Sequence, residues 1–297
     1  MAITSRACRA SDLVLLRAFT TEQWKRRGPH VCCHVGDLAW GMSREPEEKI
    51  RLWLDGGDLV GFSHFAAPGT LDLMIDPARP EVLRAVLAWL PGAAAEPHGD
   101  VAPARTMGAW ALGSDPATIA ILEEHGLQRR DAGYVYWSRS LEPPPPEPVL
   151  PAGYTLRHFE GEVELAQRVA VHQAAFAPSR LTIERYTKAM SNPPYRRDLD
   201  VVVVAPDGSF AAFCIGWLDE TIGVGELEPV GTHPAHQRQG LGRAVCSGVF
   251  ARLTRLGART AIVYSWHADP ASAALYASVG FRPVDRSYLY ETARLHS

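Results

Sequence analysis

Long apolar runs are missing from this chain. No stretch approaches the roughly 18 apolar residues that span a bilayer, and the N-terminus lacks the apolar segment of a secretory signal, so neither a membrane protein nor an exported one is expected. Cysteine is scarce: Cys8, Cys32, Cys33, Cys214 and Cys246 make an odd set without the spacing of a disulfide framework. That excludes a disulfide-stapled fold and predicts a reducing, cytoplasmic location. Charge of one sign is lacking too, since the net charge is −3, which gives no reason to expect nucleic acid or an anionic membrane as partner. The short cluster Lys25-Arg26-Arg27 reads as a solvated helix end.

What remains is an ordinary globular composition, 46% hydrophobic and 21% charged over 297 residues, about twice the size of a single domain. The clearest punctuation is Glu142-Pro143-Pro144-Pro145-Pro146-Glu147-Pro148. Successive prolines fix φ and lack amide donors, which favours an extended segment. Residues 142–151 are therefore read as a semi-rigid linker between a first half, 1–141, and a second, 152–297.

Periodicity in the second half predicts a strand at 154–159, helices at 162–176 and 182–190, a hairpin from 200–204 and 210–218 turning at Pro206-Asp207-Gly208, and a strand at 224–232. Leu241, Val245, Val249, Leu253 and Leu256 then mark one helix face, stopped by Gly257. A strand at 261–264, a helix at 270–279 stopped by Gly280, and a strand at 288–290 complete the order β-α-α-β-β-β-α-β-α-β. The first half repeats this more loosely, with helices at 12–26, 81–90 and 116–125 and strands at 59–65, 70–75, 106–112 and 133–138. Residues 120–127 and 274–281 are alike in sequence, which argues for duplication with one copy altered.

The strand ending at Thr232 leads through His233-Pro234-Ala235-His236 into Gln237-x-x-Gly240-x-Gly242 at the start of a helix. Glycines allow close backbone approach, and a helix N-terminus offers unpaired amides with a partial positive charge suited to pyrophosphate. A second motif, Leu275-Tyr276-x-x-x-Gly280-Phe281, follows downstream. Together these resemble the acetyl-CoA-binding and C-terminal motifs of the GNAT superfamily of N-acetyltransferases, over residues 154–290. The resemblance implies an α/β fold of two tandem GNAT-like domains, each a mixed central sheet flanked by helices, the first degenerate and the second catalytic. The tandem layout is similar to that of mycothiol synthase-like acetyltransferases.

By that resemblance, acetyl-CoA is the co-substrate, with its pyrophosphate on the backbone amides of Gln237, Arg238, Gln239, Gly240, Leu241, Gly242 and Arg243. Val230, Gly231 and Thr232 would line the pantetheine slot. Tyr276 matches the phenol that protonates the departing thiolate. Strand alternation places Glu226, Glu228, Val230 and Thr232 on one face, and Glu226, eleven residues before Gln237, is the preferred base, with Glu228 the alternative. Pro229 predicts a bulge between the two carboxylates. Where many relatives carry Asn, this chain has Asp269, a residue expected near the cofactor but unable to donate as an amide does.

The matching loop of the first half, Asp76-Pro77-Ala78-Arg79-Pro80-Glu81-Val82, has neither glycine and adds an acid. It is not expected to bind coenzyme A. His30-Val31-Cys32-Cys33-His34 holds soft ligands without metal-site spacing, so no metal is expected, and His233, His236 and His267 are not taken as catalytic. The acceptor is expected to be a small-molecule amine. A non-catalytic acyl-CoA-binding module and a protein-lysine acetyltransferase stay as rivals, and the oligomeric state is open.

Overall fold

The computed structural model describes residues 3–44, 49–95, 104 and 106–293. The first half runs β1 (Thr4–Ala7), α1 (Leu13–Arg27), α2 (Val35–Arg44), β2 (Ile50–Asp55), β3 (Asp58–Ala67), β4 (Thr70–Ile75), α3 (Pro80–Ala95), β5 (Gly108–Leu112), α4 (Pro116–Glu124), β6 (Gln128–Arg129) and β7 (Tyr134–Ser140). The second runs β8 (Thr155–His158), α5 (Leu165–Ala175), α6 (Ile183–Ser191), β9 (Asp200–Val204), β10 (Phe210–Asp219), β11 (Val224–Thr232), α7 (Leu241–Arg255), β12 (Thr260–Trp266), α8 (Pro270–Ser278) and β13 (Arg282–Glu291). Sequence reading did not find β1, α2, β2 or the two-residue β6, and apart from β6 the first half follows the order of the second.

The strands form one continuous sheet in the order β1-β2-β3-β4-β5-β13-β7-β12-β11-β10-β9-β8, with β6 on β13. Its centre is an exchange. β7, at the end of the first half, pairs antiparallel with β12 along its whole length, from Tyr134 opposite Trp266 to Ser140 opposite Thr260. β13, at the end of the second half, pairs with β5 from Leu112 opposite Ser287 to Gly108 opposite Glu291. Each half thus completes the other's sheet, and β7 and β13 pair with one another at the seam.

The cores follow the same exchange. Val245, Val249 and Leu253 of α7 pack with Leu227 of β11 and with Trp137 of β7. Val82, Val86 and Leu90 of α3 pack with Leu71 and Ala109, and with Tyr290 of β13. A third cluster joins Leu16, Trp24 and Val31 of the first half to Val224 and Ile262 of the second. No helix among the described residues is long and apolar enough to cross a membrane.

Candidate active site

The parallel pair β11 and β12 is joined only at its base, where Val224, Gly225 and Glu226 lie opposite Thr260, Ala261 and Ile262. Beyond Glu226 the two strands separate, and β11 continues on β10 alone. This leaves a gap at the sheet's centre whose edge is backbone, the setting in which an extended ligand can hydrogen-bond as a strand does.

A bulge sits on the β11 side of that gap. Cys214 and Gly216 of β10 face Val230 and Leu227 of β11, so Glu228 and Pro229 together oppose Ile215. The extra residue reverses the alternation of side chains. Glu226 and Glu228 share the face turned to α2, whereas Leu227 and Val230 both pack against the α7 cluster. A methyl group on Gly231 would strike Phe213 and Ala175 on the opposite face, and Thr232 Oγ1 points to Gly242 of α7. The single face expected for Glu226, Glu228, Val230 and Thr232 is therefore corrected: the carboxylates lie on one side and Val230 and Thr232 on the other.

At the gap's mouth, His233 to His236 form a short turn in which His233 Nδ1 accepts from the Ala235 amide at 3.2 Å and His236 Nδ1 meets the Tyr154 hydroxyl at 2.9 Å. Both histidines thus shape the turn. Gln239 Oε1 accepts from the same Tyr154 hydroxyl at 3.2 Å. Arg238 has φ 62° and Gly240, the N-cap of α7, has φ 82°. A left-handed residue other than glycine is uncommon, and such strain is held where surrounding structure requires it. No side chain caps α7, and among the described residues none of the amides of Arg238 to Arg243 donates to a recorded acceptor. Successive unengaged amides at a helix start form an anion-binding concavity. These residues fit a pyrophosphate.

Across the gap, Tyr276 of α8 is buried between Phe281, 5.8 Å away edge-on, and Trp137 at 6.4 Å. Burial raises its phenol well above the usual range, and Cys246, Cys214, Asp269 and Glu228 add to the effect. The hydroxyl therefore holds its proton at neutral pH, as a donor must. Asp269 is the N-cap of α8, with Oδ1 accepting from the amides of Ala271 at 3.1 Å and Ser272 at 3.2 Å and Oδ2 from the Ser272 hydroxyl. Its carboxylate is engaged by its own helix.

Glu226 is fully buried, and what buries it comes from the first half. Its Oε2 lies 3.1 Å from Nδ1 of His34, itself fully buried. Gly36 approaches so closely that a β-carbon there would overlap Glu226 Oε2 and Trp217. Asp37, one residue on, brings a carboxylate oxygen within 4.8 Å of those of Glu226 and Glu228. Burial drives the Glu226 carboxyl well above its usual range and Glu228 drives it further, against an opposing effect of Asp37. Asp37 is raised by burial and then by Glu226 and Glu228. The Tyr264 hydroxyl of β12, buried and without a hydrogen-bond partner, adjoins this cluster. Three acids crowded in low dielectric do not all ionise alone, so the cluster is suited to receive a cation.

Sequence reasoning missed His34, Asp37 and Tyr264. His34 is 192 positions before Glu226, Asp37 follows it in α2 and Tyr264 lies on another strand, and no local pattern links them.

The corresponding loop of the first half is closed on itself. Arg79 bonds Asp55 and Glu81, Arg26 bonds Asp76 Oδ2 at 2.9 Å, and the Ala78 amide is taken by Asp76 Oδ1 at 3.0 Å. Its parallel strands β4 and β5 also part after two pairs, but the carbonyl of Leu73 there accepts from Cys32 Sγ at 2.7 Å.

A sheet that opens at its centre, with unengaged amides at a helix start by the mouth and a protonated phenol and a carboxyl nearby, has the groups that acyl transfer from coenzyme A calls for. Comparison with known proteins agrees. Residues 169–281 match the acetyltransferase (GNAT) family. Over 95% of this chain and 91% of its own length, a mycothiol acetyltransferase of Streptomyces coelicolor is 28% identical; one from Salinispora arenicola is 30% identical over 58% of this chain and 59% of its own. Among solved structures, a GCN5-related N-acetyltransferase from Sphaerobacter thermophilus superposes with TM-score 0.66 at 17% identity, covering 99% of this chain and 98% of that one. A tandem GNAT protein from the clavulanic acid pathway gives 0.65 at 15%, covering 100% and 99%. Residues 169–281 are a GNAT acetyltransferase domain, and the chain as a whole shares the fold of a tandem GNAT protein. It is an acyl-CoA-dependent N-acetyltransferase with acetyl-CoA as co-substrate.

Proposed function

We propose that residues 152–297 hold acetyl-CoA and transfer its acetyl group to the primary amine of a small molecule, while residues 1–141, a degenerate copy, wall the acceptor site. The acidic cluster of buried Glu226 with half-buried Glu228 and Asp37 carries this reading, because a carboxyl covered by the first half suits a compact ammonium better than a lysine on a protein surface. The ammonium is also the cation the reaction itself brings, so no metal is invoked.

In this account a carboxyl, Glu226 before Glu228, takes a proton from the ammonium. The freed nitrogen attacks the thioester carbon, the carbon–sulfur bond breaks, the thiolate takes the Tyr276 proton, and the proton shed by the new amide nitrogen restores the phenol. The backbone from Val230 to Thr232 pairs with the pantetheine, and the amides of Gln237 to Arg243 meet the pyrophosphate. A cytoplasmic location accords with five free thiols. The mycothiol acetyltransferase relatives make the unacetylated form of mycothiol the first acceptor to try.

The test is release of free coenzyme A from acetyl-CoA, in EDTA, with desacetyl-mycothiol, glucosamine and a lysine-bearing peptide as acceptors. Turnover of a small amine, at least tenfold above the peptide, is expected. Preference for the peptide would refute the reading.

A further inference from the structure

We propose that His34, from the first half of the chain, is the positioning residue of Glu226: its Nδ1 holds carboxyl oxygen Oε2 and leaves Oε1 for the acceptor's amine. This rests on reading Glu226 as the base and gives the first half a part in catalysis beyond walling the pocket.

The geometry is specific. His34 Nδ1 stands 3.1 Å from Glu226 Oε2, and the Gly36 amide reaches the same nitrogen at 3.2 Å. An amide only donates, so Nδ1 is the acceptor, and the proton between it and Glu226 belongs to the carboxyl. The pair is neutral on both sides at rest, and as the ammonium gives a proton to Oε1 the proton on Oε2 passes to Nδ1, so Glu226 serves as the base without first ionising. Burial agrees, since it raises Glu226 and lowers His34 to about 4. The other oxygen, Oε1, is buried without a hydrogen-bond partner.

The ring is held as firmly as the carboxyl. Trp24 meets it edge-on at 5.7 Å and anchors the preceding turn by donating from Nε1 to the Cys33 carbonyl at 2.8 Å. The His34 amide donates to Asp37, and Gly36 has no side chain to push Glu226 away. The charged and titratable groups facing the pair are Asp37 of α2, Cys33 before it, Asp219 at the end of β10, Glu228 of β11 and Tyr264 of β12. None supplies a positive charge, which is why a neutral pair is the stable arrangement here.

The test is nitrogen NMR of the full-length protein labelled with 15N-histidine. In the wild type one imidazole should stay neutral from pH 8 to about pH 5, well below the ordinary histidine value near 6.5, with Nδ1 bare and the proton on Nε2. His34→Asn should delete that signal, and Glu226→Gln, which exchanges a hydroxyl donor for an amide, should move its Nδ1 resonance. In turnover of whichever amine in the panel reacts fastest, His34→Leu should lower kcat about tenfold with the KM for acetyl-CoA unchanged. His34→Asn, which keeps a polar atom near the Nδ1 place, should recover part of the loss. A His34 that titrates near 6.5, or carries its proton on Nδ1, or ignores Glu226→Gln, would overturn the pairing. If the pairing signature is intact but Glu226→Gln turns over like wild type, Glu226 is not the base and the positioning role falls with it.

Discussion

Tyr276 and Glu226 are both buried, yet burial acts on them to different ends. In the proposed mechanism it preserves in the phenol a proton to be given away, and raises in the carboxyl the affinity for a proton to be received. Tyr276→Phe keeps the ring between Phe281 and Trp137 and removes only the hydroxyl. Its turnover should fall about 10²–10⁴-fold, the usual worth of a general acid, with acetyl-CoA affinity by calorimetry nearly unchanged; full turnover would remove the phenol from the mechanism. At this scale the sequence was partly legible. Glu226 and Tyr276 stand in motifs whose spacing can be read along the chain. His34 stands in a run of His and Cys that lacks metal-site spacing and names no partner, and only the fold shows that its ring faces Glu226 and not a neighbouring thiol.

Among the elements, the turn into α7 has the most definite consequence. Gly240 adopts φ 82° at the helix start, and a β-carbon there would stand 3.4 Å from Arg243 Nη2. An L-residue in this conformation costs about 1–2 kcal/mol, which a domain with a core of this size tolerates. Gly240→Asp should therefore keep its far-UV circular dichroism but lose acetyl-CoA binding, because a carboxylate would stand among amides meant for a phosphate. Unchanged affinity in the folded variant would take the pyrophosphate away from this turn. The helix itself was plain from its apolar period, as was its stop at Gly257, whose φ of 87° closes the last turn. The phase of β11 was not. Pro229 announced a bulge, but which side chains change face depends on how many residues oppose Ile215, and that is a property of the pairing with β10.

On the scale of the whole molecule, two copies of one fold have become unlike while staying inseparable in structure. β7 and β13 each finish the sheet of the other half, and the clusters around α7 and α3 each contain a residue contributed by the exchanged strand. Nothing local in Tyr134–Ser140 or Arg282–Glu291 names the strand it will lie beside, so the exchange could not be read from periodicity, although the duplication could. The asymmetry between the halves was written in their loops: two glycines and a string of free amides in one, Arg79 clasped by Asp55 and Glu81 in the other. The central claim is that one half carries acetyl-CoA and the other serves the acceptor side. Calorimetric titration of the intact chain with acetyl-CoA tests it most directly. A stoichiometry near one, abolished by Gly240→Asp, is predicted, and two equivalent sites per chain would contradict it.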